Sequence, residues 1–278
     1  MLTLFAVPKS FRGHTGIIQL NALRSWRKIL PDAQILLLGD DEGVAQLARA
    51  EGIEHVAGVA VSEWGTPLLS DVFRRAHDLA RFPRMAYVNA DIVLLGDFRD
   101  AVGRLPSGSV LMVGQSREVG IDSPISFTDG HTEQDLVEQW RSAPSRGPFA
   151  LDYFVFSRDL FRDLPPFVVG RARFDNWLVW SALNQHAVVM DASDVVRSIH
   201  QSHGHQHIPG HPRERRPLGG QESRHNQRLA GWGCYLHLRG VYDCTHTLTP
   251  DDIVTRPHLR AAFLRQFLLR AWLKLRGR

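Results

Sequence analysis

The residues of this chain best placed to do chemistry interrupt an apolar run, Arg84-Met85-Ala86-Tyr87-Val88-Asn89-Ala90-Asp91-Ile92-Val93-Leu94-Leu95. A carboxylate in such a run is costly without a partner. Residues two apart on an extended chain point to the same side, so Asn89 and Asp91 would present two oxygens on one face. Two hard oxygens suit a divalent cation that also holds a diphosphate. The competing reading is a buried strand that ends in a turn, with both side chains bonded to nearby backbone. Two further groups stand out. Asp175, in Arg171-Ala172-Arg173-Phe174-Asp175-Asn176-Trp177, could cap a helix, and it is an acid beside an aromatic ring and two arginines. His200, His203, His205, His207 and His211 form a cluster. Imidazoles so close together could hold zinc, but no cysteine lies nearby and the spacing is not that of a helical pair.

Tyr87-Val88-Asn89-Ala90-Asp91-Ile92-Val93-Leu94 resembles the acidic signature of glycosyltransferases with the type A (GT-A) fold, with Asn89 where that pattern has its first Asp. Several later strings follow in the order seen in a bacterial and plant group of such transferases. They are Phe174-Asp175-Asn176-Trp177, Asp191-Ala192-Ser193, Ile199-His200-Gln201-Ser202-His203, Gly220-Gln221-Glu222-Ser223 with Asn226, and Thr245-His246-Thr247-Leu248-Thr249-Pro250. The resemblance covers roughly 1–255. It implies a metal-dependent glycosyltransferase that moves a sugar from a nucleoside-diphosphate sugar to a hydroxyl of a glycan or lipid-linked acceptor. Mn²⁺ or Mg²⁺ would be held by Asp91 and His200, with His203 as the alternative ligand. Asp175 would be the catalytic base, and Trp177, Arg173 and His203 would face the acceptor. The rivals are a non-catalytic carbohydrate- or nucleotide-binding protein on the same fold, a zinc hydrolase, and a sugar-nucleotide pyrophosphorylase. The last needs a glycine-rich loop after the first strand, which Phe5-Ala6-Val7-Pro8-Lys9-Ser10-Phe11-Arg12-Gly13 lacks.

The elements that must position these residues alternate strand and helix through the first half, the mark of an α/β chain with a mostly parallel central sheet flanked by helices. Strands are expected at 2–7, 33–38, 55–61, 85–88, 92–95 and 110–113, and helices at 16–29, 43–50 and 66–79. Thr66 would cap the last of these helices, with Pro67 at its first position. Ligands of open α/β sheets sit outside the carboxyl ends of the strands. That rule gathers Pro8, Lys9, Arg12 and Asp40 with Asn89 and Asp91 as the nucleotide-sugar side. Residues 114–148 read as a loop-rich insertion over the site, with one helix at 133–140. Beyond it, strands are expected at 151–156, 188–190 and 195–199, helices at 159–164 and 174–185, and mostly loop over 200–232. Residues 1–255 then form one domain, with a nucleotide-binding half to 113 and an acceptor-side half from 114.

At 278 residues, 44% of them hydrophobic, the chain is long enough for one large α/β domain. Two cysteines are too few for a disulfide framework and favour a reducing, cytoplasmic setting. The start Met1-Leu2-Thr3-Leu4-Phe5-Ala6-Val7-Pro8 reads as a strand, not a secretory leader. The net charge of +4 hides an asymmetry: 256–278 holds seven basic residues and no acid, which leaves 1–255 at −3. Basic residues confined to a tail do not make a nucleic-acid-binding face. In the tail Phe263, Leu264, Phe267, Leu268, Ala271, Trp272 and Leu275 recur at helical spacing. A basic amphipathic helix with aromatic residues on its apolar side predicts peripheral attachment to an anionic membrane, at the inner face.

Overall fold

In a computed structural model the chain is described over residues 1–127, 131–203, 220–236 and 239–256. Strands β1 (Thr3–Ala6), β2 (Gln34–Leu38) and β4 (Arg84–Val88) run parallel in the order β2-β1-β4, with β3 (Glu54–Val56) beside β2. Beyond β4 lie β7 (Leu151–Ser157), β6 (Val110–Val119), β8 (Val188–Asp191), β10 (His246–Leu248) and the edge strand β11 (Ile253–Thr255). Strand β7 is antiparallel to both of its neighbours, and β11 is antiparallel to β10. The other pairs in this order are parallel.

The central strands are continuous apolar runs because helices cover both faces. Their period of two divides each strand between two cores. Phe5, Leu36, Leu38, Met85 and Tyr87 face the core that holds Phe73 of α3 (Leu69–Leu79) and Leu178 of α6 (Phe174–Asn184). Leu4, Ala6, Leu37, Ala86 and Val88 face the core with Trp26 of α1 (Gly13–Ile29), Ala48 of α2 (Val44–Glu51) and Phe98 of α4 (Gly96–Gly103).

Strand β6 is longer than its apolar run. Val110–Val113 pair with β8, a bulge falls between Val113 and Gln115, and Ser116–Val119 pair with β9 (Ser198–Gln201). Strand β9 also pairs with the short β5 (Ile92–Val93). Together β5, β6 and β9 make a side arm, which packs Val93, Leu95, Val119 and Ile199 against Leu136 of α5 (Thr132–Ser142).

Several expectations shift. The 195–199 strand lies at Ser198–Gln201, so His200 is inside a strand, not after one. The 55–61 strand ends at Val56, and Val61 instead bridges Pro67. The 159–164 helix is a 3-10 turn at Arg158–Phe161. Thr66 caps nothing: α3 begins at Leu69 after Leu68, and Thr66 and Pro67 lie in the preceding bridged loop. The 92–95 strand ends at Val93, helix α4 follows where no element was expected, and α7 (Gln221–Leu236) replaces part of the expected loop. The tail from 257 onward, and with it the expected amphipathic helix, lies outside the described residues. Among the described residues no helix is long and apolar enough to cross a membrane.

Candidate active site

Strand β4 ends at Val88, and Asn89-Ala90-Asp91 is a turn that leads into β5, closed by the Ile92 N–H donating to Asn89 O at 3.1 Å. The two side chains therefore part. Asp91 points into the cluster described below, whereas the Asn89 amide donates to Asp152 Oδ1 at 3.1 Å. The paired-oxygen face expected of an extended segment is absent because the segment is not extended.

The antiparallel register of β5 and β9 sets Ile92 opposite His200, which brings a residue more than 100 positions away beside Asp91. His200 Nε2 stands 3.6 Å from Asp91 Oδ2, and His203 Nε2 stands 2.8 Å from the same oxygen. The imidazole rings of the two histidines are 5.1 Å apart. One ligand atom from each of Asp91, His200 and His203 falls within 4.8 Å of the others, and this is the only such cluster among the described residues. Asp91 Oδ1 and His200 Nδ1 are buried with no hydrogen-bond partner among the described residues. Buried polar atoms are seldom left so. One carboxylate and two imidazoles, with a free buried oxygen and nitrogen, fit a divalent cation. His205, His207 and His211 lie outside the described residues.

Burial alone would raise the Asp91 carboxyl. The hydrogen bond from His203 and the charges of His200, His203 and Lys9 outweigh it and hold the group well below the usual carboxylate range. Burial lowers His200, opposed first by Asp91. Burial also lowers Lys9, with Asp91 and Asp41 opposing and Arg171 assisting. Lys9 therefore lies within the electrostatic reach of Asp91. The buried Gln19 fixes its backbone by accepting from Lys9 N at 2.6 Å and donating to Lys9 O at 2.9 Å.

Buried polar residues that the sequence did not single out hold this cluster. Gln201 donates to Ile18 O (2.7 Å) and Asp91 O (2.9 Å) and accepts from Asn21 Nδ2 (3.0 Å). Asn21 in turn binds Ser123 O and Ile125 N, so one network ties α1, β9, the Asp91 turn and the segment after β6. Asp152 accepts from Arg146 Nη1 through both oxygens at 2.8 Å and from Asn89. A signal for Asp152 was present, an acid near the start of the apolar run Leu151–Phe156. Arg146 carried none, because its position depends on how the 143–150 loop folds back.

Asp175 lies in the first turn of α6, one residue inside the helix from Phe174, and Arg173 holds the capping position with φ of 90°. Asp175 Oδ1 accepts from the Asn176 N–H at 2.9 Å. Burial raises its pKa to about 6, opposed by that N–H and reinforced by the charge of Asp152. Asn176 anchors the neighbourhood by donating to Phe149 O and Arg239 O.

Other expected site residues have different partners. The Trp177 indole, expected to stack on the acceptor, is in the core, with the Phe167 ring 5.5 Å and Trp180 6.1 Å away. It is buried because its ring packs against Phe167 within the same core. Asp40 accepts the Gly58 N–H with both oxygens. Arg12 is exposed and paired with Glu42, and Pro8 is buried at the end of β1. The Gln221-Glu222 string pins loops: Glu222 takes Thr66 and Arg171, Gln221 takes the Trp64 indole N–H, and Asn226 exchanges bonds with Val168.

No protein-family model matches this chain, and no curated protein matches it. Among solved structures, S. aureus TarS residues 1–349 in complex with UDP-GlcNAc superimposes with a TM-score of 0.50 at 15% identity, over 76% of this chain and 62% of that one. This chain has the GT-A fold. The resemblance inferred from the acidic step therefore holds at the level of architecture, and Asp91 lies at the carboxyl end of β4 in this GT-A sheet. A second structure is glucosyl-3-phosphoglycerate synthase from Mycobacterium tuberculosis with Mn²⁺, UDP and phosphoglyceric acid. It aligns at TM-score 0.43 and 13% identity, over 73% of this chain and 71% of that one. This GT-A chain spans about three fifths of the length of the TarS 1–349 structures.

Proposed function

We propose that this chain is a metal-dependent glycosyltransferase that moves a sugar from a nucleoside-diphosphate sugar to a hydroxyl acceptor. The observation that carries the reading is the Asp91–His200–His203 cluster, with its unpartnered buried oxygen and nitrogen, at a strand end of a GT-A fold. A cation held there would supply Lewis-acid neutralisation of the leaving diphosphate. Two imidazoles favour Mn²⁺ over Mg²⁺, which prefers oxygen ligands and keeps its waters. Lys9 stands under the charge of Asp91 and would meet a phosphate oxygen as a point charge. The UDP-GlcNAc in the TarS structure supports a nucleotide sugar as the donor class.

Asp175 would take the proton of the acceptor hydroxyl. A carboxyl raised to about 6 is poised for that near neutral pH. With Trp177 in the core, acceptor recognition falls to Arg173 and to surfaces around α6, and the acceptor is a glycan or a lipid-linked sugar. The segment 257–278 would dock the enzyme on an anionic membrane at the cytosolic face. A thermal-shift screen of nucleoside diphosphates and their sugars, with and without Mn²⁺, tests the core of this reading. Stabilisation by one nucleotide only with metal is expected. No shift with any of them overturns it, and tightly held stoichiometric zinc in the purified protein would point to a hydrolase.

A further inference from the structure

Arg146 is in an unusual position for a charge-compensating residue. Its side chain is 22% exposed beside an Asp152 side chain that is 6% exposed. A single nitrogen, Nη1, straddles both Asp152 oxygens at 2.8 Å. The Arg146 backbone N–H donates to Ser116 O, which fixes the loop against β6. Nε is 4.0 Å from Glu118 Oε2, and neither Nε nor Nη2 donates a hydrogen bond to any described residue. Three of the five N–H donors of the fork therefore have no acceptor among the described residues. Burial opposes the guanidinium charge, while Asp152, Asp91 and Glu118 favour it. The Asp91 charge thus acts on two cations, Lys9 and Arg146. Asp152 holds this arrangement together: it grips Arg146, takes the Asn89 amide, and accepts the Asn89 backbone N–H at its carbonyl at 2.9 Å. A planar fork with idle donors beside an acidic cation site matches the geometry of phosphate oxygens.

We propose that Arg146 receives the phosphate oxygens of a diphosphate bound at Asp91, and that Asp152 is its positioning residue. The proposal rests on the nucleotide-sugar reading of the site. It gives the loop 143–150 a part in donor binding and ties the turn at Asn89 to the guanidinium through Asp152. It also divides the phosphate contacts by chemistry: Lys9 is a point charge without directional demand, and Arg146 is a fork that fixes orientation.

Calorimetric titration of the full chain with inorganic pyrophosphate, with and without saturating Mn²⁺, and with Mn²⁺ alone, tests it. The informative variant is the double change Arg146→Gln/Asp152→Asn, which removes both charges of the pair and leaves no orphaned buried carboxylate. Losing a charge-assisted fork should weaken pyrophosphate binding about tenfold, beyond whatever change the same variant shows in its affinity for Mn²⁺ alone. Arg146→Lys keeps the partner charge for Asp152 without the fork and should lose several-fold; it serves as the test should the double variant not fold. Pyrophosphate binding at wild-type strength in either variant overturns the proposal and leaves the transferase reading standing. A wild-type chain that binds neither Mn²⁺ nor pyrophosphate sinks both.

Discussion

Replacing Gln201 by leucine removes the side chain that joins α1 to the Asp91 turn with almost no change in volume. The residue is fully buried, and its amide makes hydrogen bonds of 2.7, 2.9 and 3.0 Å. Each typical bond contributes about 1 kcal/mol net, and a partner left buried without one costs about 1–3 kcal/mol. Two of the partners are partly compensated. Asn21 Nδ2 also donates to Ser123 O, and Asp91 O also accepts the Gln201 backbone N–H at 3.4 Å. The leucine side chain fills the same space, so no cavity cost is added. The sum is a loss of about 2–3 kcal/mol, read as a lower urea midpoint at unchanged slope. Because the same amide fixes the Asp91 carbonyl, Mn²⁺ affinity measured calorimetrically should fall as well. A stability change below about 0.5 kcal/mol, the range of ordinary surface substitutions, would refute the claim that this network holds the site. Normal stability loss with unaltered metal binding would refute its coupling to Asp91.

Asp175→Asn should abolish sugar transfer while donor binding survives. It should also stabilise the fold at neutral pH, since the amide oxygen can still accept the Asn176 N–H. The folded pKa of Asp175, about 6, lies above the unfolded value, so its ionisation opposes folding. That penalty, at most about 3 kcal/mol, is full above pH 6 and vanishes below about pH 4. Parallel denaturation of wild type and variant across pH 4–8 checks it, and a difference independent of pH would contradict the assignment. Asp91→Ala should eliminate Mn²⁺ binding and metal-dependent nucleotide binding, measured by calorimetry; retained stoichiometric Mn²⁺ would place the metal elsewhere. Removing 257–278 should release the chain from anionic liposomes in a flotation assay without altering the unfolding midpoint. The cut must spare Arg256, which binds Asp191, Thr247 and Val241 O inside the domain; undiminished flotation would exclude the tail as the anchor.

What the chain order determined by itself was the local pattern. The runs Gln34–Leu38 and Arg84–Val88 are apolar over nearly their whole length, so they read as strands covered on both sides, and they are. Asp91 stood out because a carboxylate in such a run needs a reason to be there. The histidines after Ile199 stood out by density. The tertiary structure decided what each of these meets. Whether His200 or His203 reaches Asp91 depends on the register of β5 against β9, which no local pattern encodes, and the fold brings both. Asn89 left its expected partner because three residues in a turn obey different geometry from three in a strand. Trp177 was legible as aromatic but not as buried, since α6 is apolar on nearly every side and its sequence gives no facing direction. Helix α7 was hidden because its Gln, Glu, Ser, Arg and His residues read as loop until Glu222 and Asn226 find their partners on distant loops. Arg146, Gln201 and Asn21 were silent for the same reason: a polar side chain acquires meaning from the group it bonds, and these partners lie between 6 and 183 residues away.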